Sequence, residues 1–184
     1  VESEVLRETQ LVVCLLFQYA GMSFVDFAHL KERNIKNGIL DYNRQKTGTP
    51  MRLEILDTAE LMRKELMGDK KPASGYLFPF LSGTKTGYEA YLEYNAALSR
   101  FNRNLKALKK AAGIASDVTS YTIRHSFAMA LKEQNVPIEM ISELLGHKSI
   151  KTTQIYLRSF SLEKMTEVNS TCFGCVYNYV SKVG

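Results

Sequence analysis

A chain of 184 residues, 45% hydrophobic and 23% charged, is long enough for one domain with its own core, and its composition excludes a disordered or fibrous protein. A net charge of +5 leans toward a polyanionic partner without identifying one. Three cysteines make no disulfide framework, and the apolar run 11–19 is too short for a bilayer and has no basic leader, so a cytoplasmic protein without a membrane partner is expected.

Residues 3–20 read as a buried helix that opens with no start signal, as a piece of a longer protein would, and Gly21 ends it. Ser23 is placed to cap a short helix over 24–30. After the polar turn at Asn37-Gly38, strands over 39–43 and 51–55 flank the loop RQKTGTP. That is a β-hairpin with Lys46 near its tip. Asp57 with Glu60 is the pair expected to cap a helix reaching Met67. Residues 87–112 form one long helix closed by Gly113. On it Arg100, Arg103, Lys106 and Lys110 step by three or four and share a face. Such a face suits a phosphate backbone or plain solvation. Helices over 120–134, from Pro137 to Gly146, over 149–158 and over 161–168 follow, then a mixed tail over 169–184. The expected fold is mostly α with a small antiparallel β-sheet, an α+β domain. Cys14 reads as core. Cys172 and Cys175 form a single CxxC with no second pair, so no metal site is expected.

The most telling stretch is 121–156, YTIRHSFAMALKEQNVPIEMISELLGHKSIKTTQIY. It sets an arginine beside a histidine (Arg124, His125), then a Gly-His pair (Gly146, His147), then Tyr156, on successive short helices. Each has a plain reading. A helical tyrosine is usually core, a buried arginine usually belongs to an ion pair, and a histidine after glycine usually caps a helix. The order and spacing carry more than the parts. Arg124-His125-Ser126-Phe127-Ala128, Leu144-Leu145-Gly146-His147-Lys148-Ser149-Ile150 and Thr152-Thr153-Gln154-Ile155-Tyr156 resemble the catalytic domain of the tyrosine recombinases, or phage integrase family. Gly21-Met22-Ser23-Phe24-Val25-Asp26 and Lys46-Thr47-Gly48 match as well, with wording similar to integrases of conjugative and mobilisable transposons.

The resemblance implies site-specific DNA recombination, integrating or excising a mobile element. Tyr156 would attack a DNA phosphodiester, giving a 3′-phosphotyrosyl link and a free 5′-hydroxyl. Arg124 would hold the non-bridging oxygens, His147 would hydrogen-bond the phosphate, and Lys46 would protonate the leaving 5′-oxygen. It implies no metal and no cofactor. Arg100, Arg103, Lys110, Lys148 and Lys151 would meet the DNA backbone. Residues 1–160 would be the catalytic domain, and 161–184 a tail packing on a neighbouring protomer. The partners implied are double-stranded attachment sites and a homo-tetramer on DNA that is a monomer alone, in a bacterial cytoplasm, at the nucleoid.

Two departures from the family pattern stand out. Where a histidine or lysine usually lies three residues before the arginine, this chain has Tyr121, a weaker phosphate donor. The family's first arginine would fall at Ser23, or at Ala20 in the transposon-type variant, and neither is arginine. Losing one charged donor costs about 10²–10³ in rate by analogy with an oxyanion hole, so an impaired enzyme is expected. Either an alanine introduced to trap a DNA complex or natural degeneracy accounts for it. Two other functions fit the same residues: a non-catalytic DNA-binding module, with 138–158 as a helix-turn-helix, and a type IB topoisomerase-like relaxing enzyme.

Overall fold

The structure is a computed structural model, and it describes residues 2–70, 72 and 75–157. The helices 161–168, the tail and the Cys172/Cys175 pair lie outside the described residues. Seven helices and one small sheet follow in the order α1 (Glu2–Gln18), α2 (Phe24–Ala28), β1 (Ile35–Lys36), β2 (Ile39–Asn43), β3 (Pro50–Glu54), α3 (Asp57–Met67), α4 (Gly87–Ala111), α5 (Ser120–Glu133), α6 (Ile138–Leu144) and α7 (Ile150–Tyr156), with one 3₁₀ turn, Glu32–Asn34, before β1. This is the mostly α fold with a small antiparallel sheet that the sequence implied.

The main core forms around α1, whose Leu11, Val12, Leu15 and Leu16, with Tyr19 just beyond its end, are buried, and the helix packs on α3, α4 and α5. The spacing of three and four puts them on one stripe of a 3.6-residue helix. Aromatic rings join α2 to its neighbours. Phe24 stacks on Phe101 of α4 at 4.7 Å, and Phe27 stacks on Phe78 at 4.1 Å. A second, smaller cluster holds Ala128, Ile141 and Leu145, uniting α5, α6 and the end of α7. An edge-to-face contact between Phe17 of α1 and Phe127 of α5, centroids 5.2 Å apart, links those two helices.

The sheet has the order β1-β2-β3, and β2 pairs with β3 from Ile39↔Glu54 to Asn43↔Pro50. Pro50 begins an edge strand, where its missing N–H breaks no ladder bond. Strand side chains alternate between faces, and Leu40 and Tyr42 turn inward. The next inward position is Arg44, at the point where the ladder closes into the turn through Arg44 N–H to the Thr49 carbonyl at 2.9 Å.

Three elements depart from the sequence reading. The two-residue strand β1 was not anticipated. Such a strand is too short to carry a period-2 signal and exists through its pairing of Ile35 with Leu40 and Lys36 with Ile39. Asp57 is the first residue of α3 rather than its cap. Leu56 holds the cap position, and no side chain bonds there. Asp57 and Glu60 instead act through the helix dipole in the first turn. The second helix ends at Ala28, two residues early, because His29 and Leu30 close it with 3₁₀-type bonds to Asp26 and Phe27.

Candidate active site

The site grows from the C-terminal end of α6. Gly146 sits in the left-handed region at φ +61, which only glycine adopts without strain. Its N–H reaches the Glu143 carbonyl at 2.8 Å, and the His147 N–H reaches Ser142 at 3.0 Å. This paired 5→2 and 6→1 closure is a Schellman cap. It aims His147 away from the helix and leaves the carbonyls of Leu145 and Gly146 in need of donors.

Two guanidinium groups supply them. Arg124, buried on α5, donates through Nη2 to the Leu145 carbonyl and through Nη1 to Gly21 at 2.9 Å. Arg44, buried at the end of β2, donates through Nη1 to Leu145 at 3.0 Å and to Gly146 at 3.2 Å. Arginine suits this task because its planar fork carries five fixed donors and stays charged. A helix C-terminus also carries partial negative charge, which favours both cations.

His147 completes the cluster. Its Nε2 lies 3.3 Å from Arg124 Nη2, and its Nδ1 lies 2.8 Å from the Thr153 hydroxyl. Since Arg124 can only donate, Nε2 is the acceptor in this arrangement, which assigns the proton to Nδ1. Thr153 is fully buried on α7. A hydroxyl accepts or donates by rotating, so it supports either tautomer of the ring. Burial, and then the Arg124 and Arg44 charges, push the His147 imidazole down from 6.5 to about 4. It is neutral at physiological pH.

A carboxylate anchors Arg44. Asp26 Oδ2 accepts from Arg44 Nε at 3.4 Å and from Ser23 Oγ at 2.6 Å, while its Oδ1 accepts from Gln45 N–H at 2.7 Å. Buried polarity is expensive unless satisfied, so its location is informative. Among the described residues, every buried polar or charged side chain except Thr9 belongs to this cluster or to the α6 turn beside it: Asp26, Arg44, Arg124, Ser142 and Thr153.

The structure brings together Arg124 and His147 as the sequence expected, and adds Arg44, Asp26 and Thr153, which the sequence reading did not assign. Tyr156 is the last residue of α7, three positions beyond Thr153, about one helical turn. Tyr121 lies one turn before Arg124 on α5 and is mostly exposed. Lys46 is exposed in the hairpin turn, two residues past Arg44. Of the candidate DNA contacts, Arg103, Lys110, Lys148 and Lys151 are exposed. Arg100 is exposed as well, at the rim of a cavity it lines with Val5, Glu8 and Lys70. Ala20 is buried at φ +55, whereas Ser23 faces the Asp26–Arg44 pair.

The fold is a mixed, mostly α domain with an Arg–His cluster at a helix end and a tyrosine on the following helix. The chain belongs to the phage integrase family, whose pattern matches residues 3–163. It is 52% identical over 54 residues to the tyrosine recombinase XerD of Lacticaseibacillus casei, covering 29% of this chain and 18% of that protein. It is 41% identical over 75 residues to XerC of Rickettsia typhi, covering 41% of this chain and 24% of that protein. These matches thus span about a fifth to a quarter of the relatives' length. Among solved structures, XerA recombinase superposes with a TM-score of 0.64 at 21% identity, over 93% of this chain and 63% of that one. The Tn1549 transposon integrase, in complex with a circular intermediate DNA, gives 0.62 at 16% identity, over 87% and 57%. At such identities these two likenesses establish the fold. No described helix is long and apolar enough to cross a membrane.

Proposed function

We propose that this chain performs site-specific DNA recombination by cleaving and rejoining strands through Tyr156. The observation that carries this reading is the convergence of Arg124 and His147 on one helix end, braced by Thr153, with Tyr156 one turn further along α7. In the cleavage step the Tyr156 phenolic oxygen bonds to phosphorus and the bond to the 5′-oxygen breaks. A phenol of ordinary pKa near 10 must lose its proton. Neutral His147 is the base for it, and its proton affinity rises once an anionic phosphate faces it. Lys46, exposed in the hairpin turn, gives its proton to the departing 5′-oxygen. Arg124 holds the non-bridging oxygens, and Tyr121 adds a weaker hydrogen bond. The phosphodiester energy stays in the phosphotyrosyl bond, so rejoining runs the same steps in reverse without a cofactor.

The DNA partner is a double-stranded attachment site, gripped by Arg100, Arg103, Lys110, Lys148 and Lys151. Residues 1–160 are the catalytic unit. The tail over 161–184 packs on a neighbouring protomer in a tetramer that assembles on DNA, at the nucleoid of a bacterial cytoplasm. Covalent trapping tests the reading. The chain is incubated with a pool of nicked duplexes carrying a randomised segment, and SDS-resistant adducts are sequenced. An adduct formed by the unsubstituted chain and lost in Tyr156→Phe supports the assignment. DNA binding with no Tyr156-dependent adduct would move the chain to a non-catalytic DNA-binding role, and relaxation without paired sites to a topoisomerase-like one.

A further inference from the structure

The strand-cleavage reading leaves a deficit: no arginine stands at position 20 or 23 to share the phosphate charge with Arg124. We infer that Arg44, delivered from the end of the hairpin, supplies the second guanidinium at the scissile phosphate. This deepens the function proposed above and rests on it.

Geometry supports the assignment. Arg44 and Arg124 donate to the same acceptor, the Leu145 carbonyl, so their guanidinium groups lie side by side against one helix end. His147 is bonded to one of them and follows the two carbonyls that hold the other. Arg44 also occupies the place an arginine at 23 would have served. Ser23 Oγ and Arg44 Nε meet on the same oxygen, Asp26 Oδ2. A side chain from the α1–α2 turn and one from the residue after β2 therefore reach the same carboxylate oxygen.

The chain makes room for this arrangement. A Cβ on Gly146 would stand 2.7 Å from Arg44 Cδ, so the missing side chain at 146 is what lets the arginine pass along the turn. Arg44 is held without being used up. Nε serves Asp26 and Nη1 serves two carbonyls, while Nη2 has no protein partner among the described residues and is not sealed from solvent. Asp26 is already supplied by the Ser23 hydroxyl and the Gln45 N–H at 2.6 and 2.7 Å, both shorter than its 3.4 Å contact with Arg44. Its role is to orient the guanidinium, leaving an N–H₂ edge for an incoming oxygen. Arg44 pairs with the buried Asp26 carboxylate and still brings a second charge beside Arg124, which matches an anion with two non-bridging oxygens.

The test uses the same nicked pool, followed by single-turnover cleavage on the duplex it selects. Arg44→Ala and Arg44→Lys should fold, as judged by circular dichroism and thermal melting. They should still bind the duplex, and lose about 10²–10³ in the rate of adduct formation. The double variant Arg44→Ala with Ser23→Arg should recover much of that rate. A duplex whose scissile linkage is a neutral methylphosphonate should shrink the Arg44→Ala defect to within about tenfold, because there is less charge left to neutralise. A structural role would not respond to the charge of the linkage. Folded Arg44→Ala that cleaves like the unsubstituted chain overturns the inference. So does a defect of equal size on charged and neutral linkages. Tyr156→Phe, run in parallel, separates the outcomes: if it too forms the adduct, the strand-cleavage reading itself has failed.

Discussion

Gly146→Ala is the sharpest structural perturbation of this site. Its φ of +61 places alanine in the left-handed region, at a cost of about 1–2 kcal/mol. The new Cβ would also lie 2.4 Å from Met51 Sδ and 2.7 Å from Arg44 Cδ. The methionine end can swing aside, but Arg44 cannot move without loosening its bonds to Leu145, Gly146 and Asp26. Overpacking of this kind adds about 1–3 kcal/mol, for a total of roughly 2–5 kcal/mol. That is a large share of the roughly 5–15 kcal/mol that holds a domain together. For a chain of this size each kcal/mol lowers Tm by about 2–4 °C, so the variant should melt roughly 4–20 °C lower. Urea unfolding gives the free energy, and adding Met51→Ala isolates the contact. The double variant should be less destabilised than the sum of the singles, by about 0.5 kcal/mol or more, because the Met51 clash is gone. A loss below about 1 kcal/mol for Gly146→Ala would refute the argument, since even the backbone term alone reaches that value.

Three further outcomes follow from the same geometry. Thr153→Val keeps the shape of a fully buried side chain but removes the hydroxyl on His147 Nδ1; urea unfolding should show a loss of about 1–3 kcal/mol, and Thr153→Ser should restore most of it. The His147 imidazole titrates at about 4 when folded against 6.5 ordinarily, so between those values the unfolded chain binds more protons and stability falls as pH falls from 6.5 toward 4. The gap sets a ceiling of ~3 kcal/mol, and solvent screening of a half-exposed ring reduces it to about 1 kcal/mol; unfolding measured across that pH range should show this slope, and His147→Gln should flatten it. Lys148→Ala and Lys151→Ala should each lower the salt slope of DNA binding by about 0.9, read by fluorescence anisotropy at several salt concentrations; an unchanged slope removes that lysine from the interface.

Much of the fold was legible because its signals are local. Helix ends marked by Gly21, Gly113 and Gly146 and the cap at Ser23 follow from backbone chemistry within a few residues. Arg124 and His147 were legible for another reason: their spacing matches a family pattern. Asp57 misled because an acidic residue three before another resembles a capping pair, while the cap position had gone to Leu56. Arg44 was missed although a signal was present. The inward alternation of Leu40 and Tyr42 continues to Arg44, and a period-2 count carries it to the buried face. Attention to Lys46 at the hairpin tip read the turn and not the strand behind it. Thr153 was read as part of a motif, and its partner His147 is six residues away on another element, a distance sequence periodicity does not report.

The α6 terminus would accept an arginine from either of two elements. A helix end always presents carbonyls that need donors. Here the Schellman turn fixes two of them, at Leu145 and Gly146, and fixes His147 directly after them. Whatever element brings a guanidinium to those carbonyls also brings it beside Arg124 and His147. The α1–α2 turn and the end of β2 both reach that point, as their meeting on Asp26 Oδ2 shows. What must be kept is therefore the acceptor geometry at 145–147 and the carboxylate at 26, more than the position in the chain from which the cation comes. Preorganised donors of this kind need no rearrangement when charge develops on a phosphate, which is where their catalytic advantage lies. On this argument Leu145 and Gly146 tolerate little backbone change, Asp26→Asn should loosen Arg44, and Ser23 is free to be serine only while Arg44 is present.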